Sequence, residues 1–287
     1  MRTELTAEEI ASYRDGGFLA IADFLEADEL EAWREAVDDA VAARGDSVFA
    51  GPTALDDELA GRVETEVQKE EHEYYESVFT QRVNLWQSNE KVRQLILDAR
   101  LGQVAADLAG VDGIRLWHDQ ALIKPPYATF TAYHLDLPYW SFSSPDSVTV
   151  WVALDDATYE NGCLYYLPAT HKAEQYDNVR IGRDIGALFD VYPEWRAADP
   201  VACPVPAGGA CFHNGLTAHG AGANMTHRRR RAMTCGYMPD GCTYNGKANI
   251  LPPAYTATLA IGDVLAADEH NPLIFSRSGK PLAAGVH

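Results

Sequence analysis

The sequence predicts a mainly β fold with flanking helices, and three observations predict it. From about residue 113 the chain breaks into short β-rich segments separated by turn residues, the pattern of a barrel or sandwich. The first 112 residues instead carry apolar side chains at helical spacing. Third, His134, Asp136 and His219 make a chemically matched set that only a fold joining distant strands could unite, as a jelly-roll barrel does.

Taking the elements in order, Thr6 followed three residues later by Glu9 reads as a capping box, with Gly16-Gly17 ending the helix. FLAIAD then reads as a strand. Leu30, Trp33, Val37 and Val41 form one apolar stripe of a second helix, a scaffold feature. The Glu- and Asp-rich stretch from about 45 to 80 reads as a mobile surface loop suited to covering an active site, with His72 on a helix surface. Residues 88 to 109 read as one helix from Ser88, with Val92, Leu95, Ile96, Val104 and Leu108 inward and Gly110 as its stop.

RLWHDQALIK, FTAYHLDL, SVTVWVAL, CLYYLP, ACFHNGL and AMTCGYM are the expected core strands, and Asn161-Gly162 marks a hairpin turn. Residues 172 to 199 read as an insertion, and 239 to 287 as a tail rich in Pro, Gly and Asn. The chain is therefore expected to be a single domain over 1–287: a helical scaffold to about 112, a β core over about 113–238 and the tail.

Composition narrows the function. A formal charge of −19 over 287 residues argues against nucleic acid, and the same excess disfavours an acyl-CoA. The one basic cluster is Arg228 to Arg231; on a strand, alternate members would face opposite ways, turning one or two inward. Five cysteines without a Cys-x-x-Cys pair fit reduced thiols in a cytoplasm. With Arg2 and Glu4 charged and no apolar stretch of signal-peptide length near the start, the protein is not expected to be secreted, and FLAIADFL is too short to span a membrane. Neither Gly-x-Ser-x-Gly nor a phosphate loop occurs, and GAGAN lacks the third glycine of a dinucleotide fingerprint.

The chemistry lies in TAYHLDLPYW. His134 and Asp136, two apart on a strand, would share a face. Two imidazoles and one carboxylate leave three adjacent positions open on a metal, the ligand set of mononuclear iron oxygenases. His134-Leu135-Asp136 is the only His-x-acid triplet in the chain, and Tyr133, Tyr139 and Trp140 flank it. His213, six residues before His219, is a rival third ligand because an even offset could put both on one strand face. His118, adjacent to Asp119, should point away from it, and His171 and His227 lie in polar, turn-like stretches and read as solvated.

These motifs resemble the phytanoyl-CoA 2-hydroxylase family of iron(II)- and 2-oxoglutarate-dependent dioxygenases. The similarity runs from LTAEEIASYRDGGFLAIADFL through HDQALIKPP, HLDLPYW and VTVWVALDDATYENGCLYYLPATHK to AHGAGANMTHRRRRAMTCGY. The resemblance implies a double-stranded β-helix core, iron(II) ligands at His134, Asp136 and His219, and Arg230 on the distal carboxylate of 2-oxoglutarate. It also places Gln120 and Trp151 against that cosubstrate. Where the family often has Ser, this chain has Ala221, so one hydroxyl contact to that carboxylate is expected to be missing. The implied reaction consumes dioxygen, releases succinate and CO2, and hydroxylates a C–H bond of a small metabolite or natural-product intermediate, with desaturation as a variant. The Asp136 carboxylate stands where related halogenases have a small residue. Tyr139 and Trp140 are candidate substrate contacts. The competing readings are a metal-dependent isomerase or hydrolase on a similar barrel, and a non-enzymatic jelly-roll binding module.

Overall fold

The computed structural model of the chain describes residues 1–49, 74 and 77–287. The loop expected over about 45–80 lies mostly, and His72 wholly, outside them.

Helix α1 (Ala7–Gly16) starts at the Thr6/Glu9 capping box and ends on Gly17 with φ 85°. Strand β1 (Phe18–Ile21) leads to α2 (Ala27–Arg44), which buries Leu30, Trp33, Ala36, Val37 and Ala40 and leaves Val41 only partly covered. Strand β2 (Thr80–Val83), which the sequence reading missed, precedes a short 3-10 turn at Leu85–Gln87. The single helix expected over 88–109 is two, α3 (Glu90–Ile96) and α4 (Ala99–Ala109). The reason is capping. Asn89 accepts from the Val92 amide and Asp98 from the Arg100 amide, so each starts its own helix; Gly110 at φ 75° then stops α4.

Two antiparallel sheets follow. The larger has the order β1-β8-β5-β10-β3-β11, with β2 also on β3, where β3 is Gly113–Lys124, β5 Val148–Ala153, β8 Ala210–Asn214, β10 Arg230–Pro239 and β11 Leu273–Ser276. The smaller has the order β4-β9-β6-β7, with β4 Thr131–His134, β6 Leu164–Tyr166, β7 Val201–Cys203 and β9 His219–Ala221. Strand β5 is buried along its whole length because both its faces are covered. Val148, Val150 and Val152 join the apolar cluster that α1 to α4 form on the outer face; at roughly 1.5–3 kcal/mol per fully buried side chain, such burial holds the helices on the sheet. Thr149, Trp151 and Ala153 face the other way.

Three further expectations are corrected. Asn161-Gly162 is a turn, with Gly162 at φ 98°, but it links strands of different sheets instead of closing a hairpin. His213 and His219 do not share a strand: β8 and β9 belong to different sheets, because the chain turns at Gly215. Strand β4 ends at His134, and Asp136 has helical backbone angles (φ −79°, ψ −52°) at the start of a 3-10 turn, Leu137–Tyr139. The tail contributes β11 and a helical turn at Pro253–Thr256.

Candidate metal centre

Strand alternation does not bring His134 and Asp136 together; a turn does. The amides of Asp136 and Leu137 both donate to the Gly215 carbonyl, at 3.0 and 2.9 Å, which docks the end of β4 against the β8–β9 turn. Pairing of β4 with β9 sets His134 opposite His219, ring centroids 4.2 Å apart. The donor atoms of His134, Asp136 and His219 lie within 4.8 Å of one another and could hold one metal ion. Oδ1 of Asp136 is 3.6 Å from Nε2 of His134 and 3.7 Å from Nε2 of His219.

Each imidazole is oriented from behind. Nδ1 of His134 lies 2.9 Å from the Ala132 carbonyl and Nδ1 of His219 lies 3.0 Å from that of Thr217. A carbonyl only accepts, so each Nδ1 carries the proton and each Nε2 keeps its lone pair for a cation. Burial, then His213 and His134, hold the pKa of His219 well below the ordinary value, so it is neutral. Burial opposes ionisation of Asp136, but the imidazoles around it, His219 first and then His134 and His213, outweigh that and keep the carboxyl well below its usual range.

The three side chains line a cavity of about 480 Å³ that also contains Gln120, Trp151, Ala221, Tyr139, Trp140 and Arg230. Arg230 is 2% exposed, and its Nε and Nη1 find no partner among the described residues. Its guanidinium lies over the Trp151 ring, 4.9 Å from the centroid. Burial lowers its pKa to about 10, which leaves it a cation at neutral pH. A buried cation with open N–H groups is costly unless an anion meets it, so the residues present fit a dicarboxylate held between Arg230 and the His/Asp/His set. The other arginines of the run differ: Arg228 and Arg229 are exposed, and Arg231 pairs with Asp155 and Asp38. Beside Arg230, the buried Lys124 donates to the Thr129 carbonyl at 2.6 Å, and burial followed by the Arg230 charge lowers its pKa to about 7.

Of the remaining expected residues, Gln120 accepts from the Gln81 amide on β2, and the Tyr139 hydroxyl donates to the Val179 carbonyl at 2.6 Å. The sequence reading passed over His118 and Thr149, which also line the cavity. Both were discoverable by alternation, since His118 is two residues before Gln120 and Thr149 two before Trp151. His118 does diverge from Asp119, and that divergence sends it into the cavity. Its Nδ1 is buried without a partner among the described residues, and burial lowers its pKa to about 4. His227 is exposed as expected, whereas His171 is half-buried, its Nε2 3.2 Å from the Arg14 carbonyl.

Residues 13–232 match the phytanoyl-CoA dioxygenase family. Human peroxisomal phytanoyl-CoA dioxygenase is 25% identical over 250 residues, 84% of this chain and 70% of that protein. A Stutzerimonas stutzeri protein named "Probable alpha-ketoglutarate-dependent hypophosphite dioxygenase" is 31% identical over 132 residues; these are 44% of this chain and 46% of the relative, less than half its length. Among solved structures, the non-heme α-ketoglutarate-dependent carbocyclase SnoK from nogalamycin biosynthesis aligns over 94% of this chain and 96% of its own, with TM-score 0.73 and 26% identity.

Proposed function

The chain belongs to the phytanoyl-CoA dioxygenase family of iron- and 2-oxoglutarate-dependent enzymes, and from that premise we propose that it hydroxylates a C–H bond of a small metabolite or natural-product intermediate. His134, Asp136 and His219 would hold the iron, and Arg230 the distal carboxylate of 2-oxoglutarate. The observation that carries this reading is Arg230: a buried guanidinium with open N–H groups in the same cavity as a His/Asp/His cluster. A planar guanidinium meets a carboxylate with two parallel charge-assisted bonds, which Lys could not copy. A metal-only isomerase or hydrolase does not require a second anion site, so this cation favours the oxygenase reading.

When bound, the iron and 2-oxoglutarate would let dioxygen act as the oxidant, one of its atoms going to succinate as 2-oxoglutarate loses CO2 and the other to the substrate. The protein's own residues orient and exclude. Carbonyls 132 and 217 fix the two imidazoles, Trp151 flanks the Arg230 guanidinium, and Gln120 lines the same cavity. Tyr139 and Trp140, beside the ligand turn, would contact the substrate. The carboxylate of Asp136 fills the place a halide would need, which favours hydroxylation or desaturation over halogenation. No helix among the described residues is long and apolar enough to cross a membrane. The reading proposed here is of a cytoplasmic enzyme working as one unit over residues 1–287.

Anaerobic addition of iron(II) and 2-oxoglutarate should produce the weak visible metal-to-ligand absorption, and a substrate panel should then show succinate release coupled to dioxygen uptake without halide. Turnover of any compound with neither 2-oxoglutarate nor dioxygen consumed would defeat the proposal.

A further inference from the structure

The two oxygens of Asp136 have different surroundings. Oδ1 faces His134 and His219. Oδ2 accepts the Thr149 hydroxyl at 2.8 Å and Nε2 of His213 at 3.1 Å. Thr149 and His213 are cross-strand partners on β5 and β8, so the larger sheet presents a matched pair of donors to one oxygen of a residue that follows the smaller sheet's β4.

His213 is itself held. It is 2% exposed, and its Nδ1 lies 3.0 Å from the hydroxyl of Tyr166 on β6, a fully buried side chain stacked on Phe18 with centroids 4.6 Å apart. The protons on this chain follow from the donor inventory. An ionised carboxylate only accepts, so Nε2 carries the hydrogen; in a neutral imidazole Nδ1 then accepts, and the Tyr166 hydroxyl donates. Both ring nitrogens are committed, Nε2 by its hydrogen to Asp136 and the Nδ1 lone pair by the Tyr166 hydroxyl, so His213 has no lone pair left for a cation. This removes His213 as a rival ligand and gives it another task.

We propose that His213 is a positioning residue: with Thr149 it saturates Oδ2, so that Asp136 offers only Oδ1 to the iron, and Tyr166 sets the tautomer of His213 that allows this. A free aspartate can rotate about both side-chain torsions and bind a cation through one oxygen or both. Two donors on Oδ2 remove the second mode and fix the direction of Oδ1, leaving room for a chelating cosubstrate. The inference rests on the function proposed above.

The test uses the full chain, anaerobic Co(II) titration followed by visible absorption, and X-ray absorption to count imidazole ligands. His213→Leu should weaken Co(II) binding about 10–100-fold, as loss of a group supporting a ligand does, while leaving the count at two imidazoles. His213→Gln, which keeps an N–H at similar reach, should recover most of the affinity. If His213→Leu does not fold by circular dichroism, the near-isosteric Thr149→Val and Tyr166→Phe decide, each expected to weaken binding several-fold. A third imidazole in the wild type that His213→Leu removes, or unchanged affinity in the folded variants, overturns the inference. Should the wild type show no Co(II) site that Asp136→Ala abolishes, the proposed function falls as well. A wild-type site indifferent to the variants sinks only this inference.

Discussion

Arg230 is the residue on which cosubstrate binding should turn. Removing it deletes a charge-assisted pair worth about 3 kcal/mol, so Arg230→Ala should raise the 2-oxoglutarate Kd about 100-fold while metal affinity stays near wild type, since no donor atom of the His/Asp/His cluster is lost. Isothermal titration with each ligand separately would show it; unchanged 2-oxoglutarate affinity would move the role elsewhere. Ala221, buried on β9 in the same cavity, sets up the opposite change. Ala221→Ser introduces a hydroxyl there and should tighten 2-oxoglutarate binding. At this scale residue type and spacing singled out His134, Asp136 and His219, and the family resemblance Arg230, Gln120 and Trp151, all of which line the cavity, whereas His118 and Thr149, which line it too, were passed over. It misjudged His213, whose even offset from His219 suggested a shared strand. The intervening turn at Gly215 sends the two into different sheets.

Among the elements, the β4–β9 contact is the least tolerant. A Cβ on Gly220 would lie 2.7 Å from the Thr131 carbonyl, backbone that cannot move without separating the strands. Gly220→Ala should therefore push His134 from His219 and reduce metal affinity at least tenfold while the helical circular dichroism signal is retained, since α1 to α4 pack on the other sheet. A second test concerns Asp119 on β3, which holds the 3-10 turn at Leu85–Gln87 by accepting from the amides of Leu85 and Trp86 at 3.0 and 3.1 Å. Burial raises its pKa from 3.8 to about 7, against the pull of those amides and of Arg44. A raised folded-state pKa means that the native state binds the extra proton. The contribution to stability is then full below about pH 4 and is lost as pH rises through about 7, with a slope approaching about 1.4 kcal/mol per pH unit. Asp119→Asn cannot titrate, so denaturant unfolding at pH 4.5 and 6.5 should show the wild type losing stability relative to the variant. Equal slopes would contradict the assignment. The helix boundary at Asp98 shows why elements were harder to read than residues: the apolar spacing runs through residues 88–109, and only the caps at Asn89 and Asp98 reveal two helices.

For the whole molecule, the cavity is shared property, with His134 and His219 coming from the smaller sheet and Arg230, Gln120 and Trp151 from the larger. Ligands spanning both sheets should stabilise the folded state as a unit. At 100 times its Kd a ligand adds about 2.7 kcal/mol, so saturating Mn(II) with 2-oxoglutarate should raise Tm by several degrees, and Asp136→Ala should abolish the metal-dependent part. No shift in the wild type would mean that the two sheets do not share the ligands.

By itself the sequence determined the fold class, the caps of α1 and the Gly110 stop of α4, the core strands from β3 to β10 apart from the short β7 and β9, and the family that its motifs resemble. These are local or periodic signals, carried by side-chain chemistry within a few residues. The tertiary structure decided what depends on contacts between distant segments. It set Asp136 beyond the end of its strand, because the docking partner is the Gly215 carbonyl 79 residues away in a turn no periodicity marks. It also gave the two oxygens of Asp136 different neighbours, because the cross-strand partner of Thr149 is fixed by the register of β5 on β8. Register is a property of paired strands, and one strand read alone does not contain it.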